Sequence, residues 1–461
     1  MTKDAPRLLT VLLAAGVALG LMHIVCVIGF QVPFDPNEGW NAVFTQAAMT
    51  TGSPYPAAQS LMIDNYPPLS FYIVGAVARL AGDAVIAGRI VALAALFALA
   101  LGIETAARRM GCSRVEAAFA ALFFAAGVMA TSDYAGMDDP QMLGHAIAIG
   151  GLIAVLREPL TPRDMVFAAA LFVAAFFVKH NLVVLPLAVA AWLVLLDRRL
   201  AVTFAVSGIV FLLIGLGVFK EAFGFSLFSV IESARTYSVA NIAAALSPWL
   251  RWSAVPLLGA AALFAAARHD RHVVLCILYV VLATLAGLYF SGGAGVDANA
   301  LFDADIALAL SAGLLLNRLS VGRSIAAVFY AIPLVLGVWA LDADWRSSDY
   351  WLHPMAEERA TAGAEIALLR RADGTAICEM LSLCYWAGKP AEADVFNLDQ
   401  AYLAGARNDA ELVRAIEQRR YAIVQLEELS PFPLTPAVHR ALDSNYYIVR
   451  RDDDRVFFAP R

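Results

Sequence analysis

The sequence predicts a polytopic α-helical membrane protein that ends in a small α/β domain, and two observations support this prediction. Of the 461 residues, 61% are apolar and only 16% are charged, which is too apolar for an ordinary soluble protein. Residues 1–354 hold 42 of the 72 charged side chains, whereas the much shorter stretch 355–461 holds the other 30. This division predicts a membrane-embedded body over 1–354 and a water-soluble domain over 355–461.

The first apolar segment, residues 8–30, contains 23 residues without a charge. At 1.5 Å per residue it is long enough to cross a hydrocarbon core of ~30 Å. A signal peptide is the alternative interpretation, but the segment is long for one and no small-x-small cleavage site follows it. We therefore predict a retained span. Ten further apolar segments bring the predicted number of spans to eleven: 85–107, 115–131, 140–156, 164–178, 182–196, 202–220, 252–267, 273–290, 300–316 and 324–341.

The orientation of the spans follows from the charges of the loops. With a cytoplasmic N-terminus, the inner face of the body carries thirteen Lys and Arg residues and seven carboxylates. The opposite face carries seven other Lys and Arg residues and the remaining fifteen of the twenty-two carboxylates. Cations collect in cytoplasmic loops, so the acidic face is predicted to lie outside. The apolar segment 68–82 is short for a span, and we expect a re-entrant or interfacial helix within a first outer loop, 31–84. A second long outer loop is expected at 221–248.

The C-terminal domain contains short β-type stretches at Thr375–Met380, Tyr421–Leu426 and Tyr446–Val449. Aspartates at 452–454, followed by RVFFAP, predict a hairpin turn. Cys378 and Cys384 lie six residues apart, a separation that needs a bend before a disulfide can form, so a disulfide and a free pair both remain open. Nucleic-acid partners are excluded because the net charge is −6 and no long run of Lys and Arg exists.

Acidic residues near the membrane surface mark the first candidate site. The first outer loop begins FDPNEGWN, which places Asp35 and Glu38 directly after the first span. A charged side chain next to a bilayer is energetically costly, so its presence there suggests a functional role. The alternative is that Asp35 only caps a helix that begins near Asn37. The same loop ends in DNYPP, where Asn65 and Tyr66 are expected either to line a sugar site or to belong to a rigid turn.

The second outer loop reads SDYAGMDDPQMLGH and contains the adjacent carboxylates Asp138 and Asp139. Two carboxylates this close repel each other unless a cation or a set of sugar hydroxyls offsets them. We therefore expect one or both to bind the acceptor or a divalent metal ion such as Mg²⁺, Mn²⁺ or Zn²⁺. Helix capping ahead of Pro140 is the alternative, and it accounts for only one of the two.

Cations at the outer end of the fifth span suggest an anion site. In FFVKHNLVVLPLA, Lys179 and His180 interrupt an apolar sequence, and together they are placed to bind a lipid-linked phosphate as charged partners. The alternative is that Lys179 only snorkels to the interface. Further polar residues of the outer loops are expected to complete the pocket: Arg235 on the phosphate, and Tyr237, Asp297 and Asn299 along the sugar.

Five stretches between residues 34 and 305 carry a family resemblance: FDPNEGWN, NYPPLSFYIVG, SDYAGMDDPQ, FFVKHN followed by LPLA, and GAGVDANALFD. In their order, spacing and common outward placement they resemble the polyprenyl-phosphate-dependent glycosyltransferases of the C superfamily. This group includes protein O-mannosyltransferases, lipid A aminoarabinose transferases and lipopolysaccharide galacturonosyltransferases. The resemblance implies the superfamily's fold, and its eleven-span version agrees with the predicted span count.

The same resemblance implies an enzyme of the bacterial inner membrane that moves a sugar, with inversion, from a polyprenyl-phosphate donor to a periplasmic lipid, glycan or protein acceptor. Asp35 falls at the first-loop acidic position that serves as candidate base and possible metal ligand. Glu38 is expected to assist in catalysis beside it by binding the metal or the acceptor. Either Asp138 or Asp139 matches the second-loop acidic motif. The C-terminal domain lacks the carbohydrate-binding repeats of eukaryotic O-mannosyltransferases, so a protein acceptor is not specifically implied.

Two other functions are compatible with a polytopic membrane protein. A transporter or glycolipid flippase needs polar groups near the bilayer midplane, whereas the charges here gather at one face. A non-catalytic assembly protein would use the C-terminal domain as its working part. Membrane glycosyl transfer is the function that the sequence favours.

Overall fold

The membrane body is helical throughout in the computed structural model, which describes residues 5–57, 59–319, 323–340, 348–428, 434–452 and 454–461. A single turn of 3₁₀ helix, Ala298–Leu301, precedes its thirteenth helix. The helices of the body are α1 (Ala5–Val27), α2 (Pro36–Thr51), α3 (Leu69–Ala81), α4 (Ala84–Arg109), α5 (Arg114–Thr131), α6 (Gln141–Val155), α7 (Pro162–Val178), α8 (Val184–Leu196), α9 (Arg198–Phe223), α10 (Phe228–Ile231), α11 (Val239–Ala267), α12 (Arg271–Phe290), α13 (Phe302–Arg318) and α14 (Arg323–Ala340).

Each of the eleven predicted spans coincides with one of these helices, although residue 341 at the end of the last predicted span lies outside the described residues. Within the described part of the chain, seven helices are long and apolar enough to cross a membrane: α1, α4, α5, α9, α11, α12, and α13 together with its 3₁₀ turn. The protein is therefore a multi-pass membrane protein, and the total of eleven spans stays a prediction. The segment predicted at 68–82 forms the short helix α3.

The second long outer loop is shorter than predicted. Helix α11 begins at Val239, well before the apolar segment at 252, because the Ser238 side chain accepts a hydrogen bond from the Asn241 amide at 3.1 Å and caps the helix. The irregular part of the loop is therefore confined to 224–238, interrupted by the single turn α10.

Helix α13 lies at the centre of the body, with most of its side chains buried against α5, α11 and α12. Helices α1 and α9 are different, since most of their apolar side chains are exposed. Side chains that are both apolar and exposed over such lengths are typical of a surface that faces lipid. The polar loops at the outer ends of the helices then carry the groups available for chemistry.

The C-terminal part of the chain forms the small α/β unit that the sequence predicts. Its sheet has the strand order β1-β2-β4-β3, with β1 parallel to β2 and the other neighbours antiparallel. The predicted hairpin joins β3 and β4, although Asp453 of its turn lies outside the described residues. The elements are α15 (Ser348–Leu352), α16 (Ala356–Arg371), β1 (Thr375–Cys378), α17 (Leu381–Trp386), α18 (Val395–Leu403), α19 (Ala410–Glu417), β2 (Tyr421–Glu427), α20 (Pro436–Asn445), β3 (Tyr446–Asp452) and β4 (Arg455–Pro460).

A disulfide joins Cys378 at the end of β1 to Cys384 in α17, with a Cα–Cα distance of 5.9 Å. The bend that brings the two cysteines together places α17 directly against α2. At the contact, Gly39 of α2 meets the backbone of Ser382 so closely that a Cβ atom at Gly39 has no room. The C-terminal unit therefore supports the helix whose first turn carries the predicted acidic site.

Candidate active site at the outer ends of the helices

Asp35 both caps a helix and keeps an oxygen available. It is the N-cap residue of α2, and its Oδ1 accepts a hydrogen bond from the Asn37 amide at 2.8 Å, with Pro36 in the first turn. No described residue makes a hydrogen bond to Oδ2. Asp35 can therefore both cap the helix and act as a base, which were alternatives in the sequence, because each role uses a different carboxylate oxygen.

The surroundings of Asp35 make it a better base than a surface carboxylate. Burial raises the pKa of the Asp35 carboxyl to about 6, although the hydrogen bond from Asn37 acts in the opposite direction. The nearby negative charges of Asp297, Asp139 and Glu38 raise this pKa as well. A carboxylate with this pKa is ionised at neutral pH and takes up a proton more readily than an ordinary aspartate.

Glu38 is not placed to act as a base. Its two carboxylate oxygens accept hydrogen bonds from Arg89 of α4, at 2.7 Å from Nε and 2.6 Å from Nη2, and both side chains are fully buried. Glu38 also accepts the Phe34 amide at 2.9 Å. Arg89 donates in addition to the Phe30 and Val32 carbonyls, at 2.7 and 2.6 Å. The geometry supports a structural role for Glu38, in which the ion pair fixes the segment that precedes Asp35.

The two adjacent aspartates of the second outer loop have different surroundings. The Asp138 carboxylate packs against Gly88 of α4, where only a glycine leaves room for it, and its Oδ2 is buried without a hydrogen-bond partner in the described chain. Burial raises the pKa of Asp138 well above its ordinary value. The Asp138 amide donates to Glu38 and its carbonyl accepts from Asn41, which ties this loop to α2. Asp138 therefore faces the packed interior.

Asp139 faces the predicted phosphate site. Both of its oxygens accept hydrogen bonds from the Lys179 ammonium, at 2.7 and 2.9 Å, and Oδ1 also accepts the Gln141 amide at 2.7 Å. Lys179 is only 3% exposed, so it does not snorkel to the interface as the alternative interpretation supposed. The charge of Asp139 also raises the pKa of Asp35, so the predicted base and the predicted phosphate ligand lie in the same charged surroundings.

Lys179 lies in a cluster with Tyr66, His180 and Arg235. The Lys179 Nζ lies 4.8 Å from the centre of the Tyr66 ring, and the Tyr66 and His180 rings are 6.3 Å apart. Burial raises the pKa of the Tyr66 hydroxyl and lowers that of the His180 imidazole, and Arg235 lies close enough for its charge to act on both groups. Three groups able to donate to a phosphate therefore meet in one place, as the sequence predicts.

His180 is neutral in this cluster rather than cationic. Burial lowers the pKa of its imidazole to about 4, and the positive charges of Lys179 and Arg235 contribute to the shift. We expected an imidazolium beside an ammonium, but two neighbouring cations disfavour a third charge in the protein without ligand. The buried His180 Nδ1 has no hydrogen-bond partner among the described residues, so the ring keeps a nitrogen available for a ligand.

Besides Tyr66, three of the other four residues expected along a sugar lie near this cluster. Asn65 is buried and donates to Ser233 Oγ at 3.4 Å, Asn299 donates to Gln141 Oε1 at 3.4 Å, and the charge of Asp297 acts on Asp35. Tyr237 is different, since its ring packs on Gly292 and Tyr289 and is 53% exposed. The expected sugar-lining role of Tyr237 is not supported, because its backbone pairs with Gly293 and turns the ring outward.

A chain of polar side chains leads from the cluster into the helical body, and it includes Gln141, for which the sequence predicts no role. Gln141 Oε1 accepts from both Asn181 and Asn299 at 3.4 Å, and its Nε2 lies 2.9 Å from His145 Nε2. His145 Nδ1 in turn lies 3.9 Å from Asp303. Gln141 stands in the DDPQ motif, but no periodicity or charge distinguishes it, so only the structure reveals its position.

The acidic residues do not fit the divalent metal ion that the sequence suggested. Both oxygens of Glu38 are bound by Arg89, both oxygens of Asp139 are bound by Lys179, and Asp138 faces Gly88. Across the described ranges of the chain, no group of three or more His, Cys, Asp and Glu side chains is arranged to hold an ion. We therefore derive no step through a metal.

An apolar cavity of about 920 Å³ opens beside the acidic end of the cluster. Its walls come from α1, α5 and α14, with Trp252 of α11 as a further wall residue. Phe34, which precedes Asp35, and Asp133 of the second outer loop lie at its polar end. Burial raises the pKa of Asp133, and the charges of Asp297 and Glu38 contribute, so this end of the cavity lies next to the carboxylates.

Comparison with known proteins gives a result at the level of the fold. No family model and no curated protein matches the chain. Solved structures do match: the crystal structure of ArnT from Cupriavidus metallidurans bound to undecaprenyl phosphate has a TM-score of 0.64 at 15% identity and covers 98% of both chains. Its apo form has a TM-score of 0.63.

A second solved protein also matches. The oligosaccharyltransferase AglB from Archaeoglobus fulgidus, in complex with an inhibitory peptide and a dolichol-phosphate, has a TM-score of 0.53 at 11% identity and covers 97% of this chain and 74% of its own. Both matches have less than 25% identity, so they show a likeness of fold alone. The chain shares the fold of ArnT and AglB, as the resemblance of the sequence motifs implied.

Proposed function

We propose that this protein is an integral membrane glycosyltransferase that moves a sugar from a polyprenyl-phosphate donor to an acceptor at the outer face of the bacterial inner membrane. The observation that carries the proposal is that Asp139, which binds Lys179 through both carboxylate oxygens, also lies near enough to Asp35 for its charge to raise the pKa of that carboxyl. Two structural neighbours were solved with polyprenyl phosphates, which supports the donor class. The N-terminus is then cytoplasmic and the C-terminal unit periplasmic.

The proposed reaction is a single displacement with inversion. The acceptor hydroxyl oxygen attacks the anomeric carbon of the sugar, and Asp35 Oδ2 takes up the hydroxyl proton. The bond between the anomeric carbon and the phosphate oxygen breaks, and its electron pair stays on the phosphate. Lys179 and Arg235 stabilise the negative charge that develops there, and neutral His180 donates a hydrogen bond.

The apolar cavity favours a lipid among the acceptors that the sequence left open. Its walls are formed by span-forming helices and are almost wholly apolar, which suits acyl chains better than a glycan or a peptide. Its polar end includes Phe34, the residue before Asp35, so a lipid held there has its head group near the proposed base. We propose a membrane lipid that carries a free hydroxyl or phosphate in its head group as the acceptor.

The proposed function is tested by incubating the purified protein, in nanodiscs of bacterial lipid, with a panel of polyprenyl-phosphate sugars. We expect one or a few donors to be converted to free polyprenyl phosphate, with a matching gain in mass of a lipid, both measured by mass spectrometry. A vesicle assay of the same donors measures movement across the bilayer. Vectorial movement without any new glycosidic bond would instead favour a flippase.

A further inference from the structure

The C-terminal unit reaches into the proposed phosphate site through helix α18. The irregular segment that carries Arg235 is paired along its length with the segment after α12, since Thr236 accepts the Ala294 amide at 2.9 Å and Ser238 donates to Gly292 at 2.8 Å. Helix α18 lies against both segments. The site is therefore built from the membrane body and the C-terminal unit together.

Gln400 makes the central contact. Its side-chain oxygen accepts two hydrogen bonds from Thr236, one from the amide at 3.1 Å and one from the hydroxyl at 2.8 Å. Gln400 is only 1% exposed, so water does not replace these bonds when they are lost. One side chain of the C-terminal unit thus fixes the backbone next to Arg235.

The Arg235 side chain is held by the same helix. Its guanidinium lies 5.3 Å from the centre of the Phe396 ring, and its Nη1 donates to the Ala294 carbonyl at 2.9 Å. Phe396 packs on Gly295, which has a φ of 68° and leaves the space that the ring occupies. Arginine has many rotamers, so a site that holds it in advance binds an anion at a lower entropic cost.

A further contact from α18 reaches the turn that carries Tyr66. Asn397 Oδ1 accepts from Asn65 at 3.5 Å, and the same Asn65 group lies 3.4 Å from Ser233. Asp394, at the N-cap of α18, holds Asn397 at 2.6 Å and also accepts the Trp40 indole at 2.9 Å. The helix therefore ties together the separate loops that surround Lys179.

From these contacts we infer that Gln400 and Phe396 are positioning residues for the donor phosphate, and that the C-terminal unit completes the donor site by fixing Arg235. This inference rests on the proposed function. It gives the C-terminal unit a defined part in donor binding, whereas the sequence resemblance implies no activity for that unit. The effect is expected mainly in donor affinity. Lys179 still stabilises the leaving phosphate when Arg235 is less firmly held, whereas the entropic cost of ordering Arg235 then falls on donor binding.

The test uses the full-length protein in nanodiscs and two measurements: the Kd for undecaprenyl phosphate without sugar, and kcat and KM with the donor found in the panel. Gln400→Met removes the acceptor at nearly constant volume, and we expect Kd and KM to rise about tenfold with kcat nearly unchanged. Thr236→Val removes one donor of the same pair and Thr236→Ser restores it. We expect a rise in KM for the first and wild-type KM for the second.

Leu403→Ala is the matched control, since Leu403 lies on the same helix and is 61% exposed. If Gln400→Met only destabilises the protein, the active fraction and the apparent kcat fall while KM stays constant, and the inference is overturned. Wild-type Kd and KM in both Gln400→Met and Thr236→Val would overturn it as well. Failure of the wild-type protein to bind undecaprenyl phosphate is a separate result, which contradicts the proposed function itself.

Discussion

Replacing Asp35 with Asn is expected to lower kcat for sugar transfer by about 10²–10⁴-fold, the range typical of a lost general base, while the protein still folds. Asparagine is as good an N-cap as aspartate, so its side-chain oxygen still accepts the Asn37 amide. The neutral amide cannot take up a proton. The measurement is single-turnover transfer by the purified variant, with thermal unfolding of the same sample as the test of folding.

Asp197→Asn is the matched control for this variant. Asp197 is also an N-cap aspartate, at the start of α9, and its side chain accepts the Arg199 amide at 2.8 Å. We expect wild-type transfer from Asp197→Asn. Near-normal turnover in Asp35→Asn would remove Asp35 from the proposed mechanism, whatever the control does.

The pH dependence of transfer gives a second readout of Asp35. Its carboxyl must be ionised to accept a proton, and burial raises its pKa to about 6. We therefore expect kcat/KM to be constant at neutral pH and to fall as the pH drops through about 6, by tenfold per unit below that point. The residual activity of Asp35→Asn is expected to lack this fall.

Arg89→Met is expected to cause the largest loss of stability, about 3–5 kcal/mol, because it leaves Glu38 as an unpaired charge in a fully buried site. The variant also leaves the Phe30 and Val32 carbonyls without their hydrogen bonds from Arg89. We expect a lower unfolding temperature and a loss of activity, since the segment that positions Asp35 is no longer held. Thermal unfolding in detergent measures the first effect.

A double variant separates the charge from the packing. Arg89→Met with Glu38→Gln removes both charges, so we expect it to be more stable than Arg89→Met alone. Arg318→Met is the control, since Arg318 forms a partly exposed ion pair with Asp270 that is expected to contribute less than about 1 kcal/mol. If Arg89→Met unfolds at the wild-type temperature, the ion pair does not hold the acidic segment.

The sequence was sufficient to predict the parts of the fold that depend on local pattern. Long apolar segments predicted the positions of the helices, and two β-type stretches on either side of the aspartates at 452–454 predicted the hairpin. The positions of Asp35 and Lys179 were predicted because charges next to lipid are rare and therefore stand out. Composition and periodicity were enough in each case.

Pairings between distant residues were not predictable in the same way. Arg89 and Glu38 lie 51 positions apart, and nothing in either segment shows that they form an ion pair that makes Glu38 unavailable as a base. The neutral state of His180 also depends on how closely Lys179 and Arg235 approach it in three dimensions. Gln400 lies in α18, 164 positions from its partner Thr236, and no motif distinguishes that helix in the sequence. Its role is therefore visible only in the folded structure.

The central claim is that Asp35 and the phosphate-binding cations serve one site, and a cryo-EM structure of the protein with undecaprenyl phosphate tests it most directly. We predict that the phosphate contacts Lys179 and Arg235, on the side of the cluster that faces Asp35. A phosphate bound elsewhere in the protein, or separated from Asp35 by packed side chains, would contradict the account.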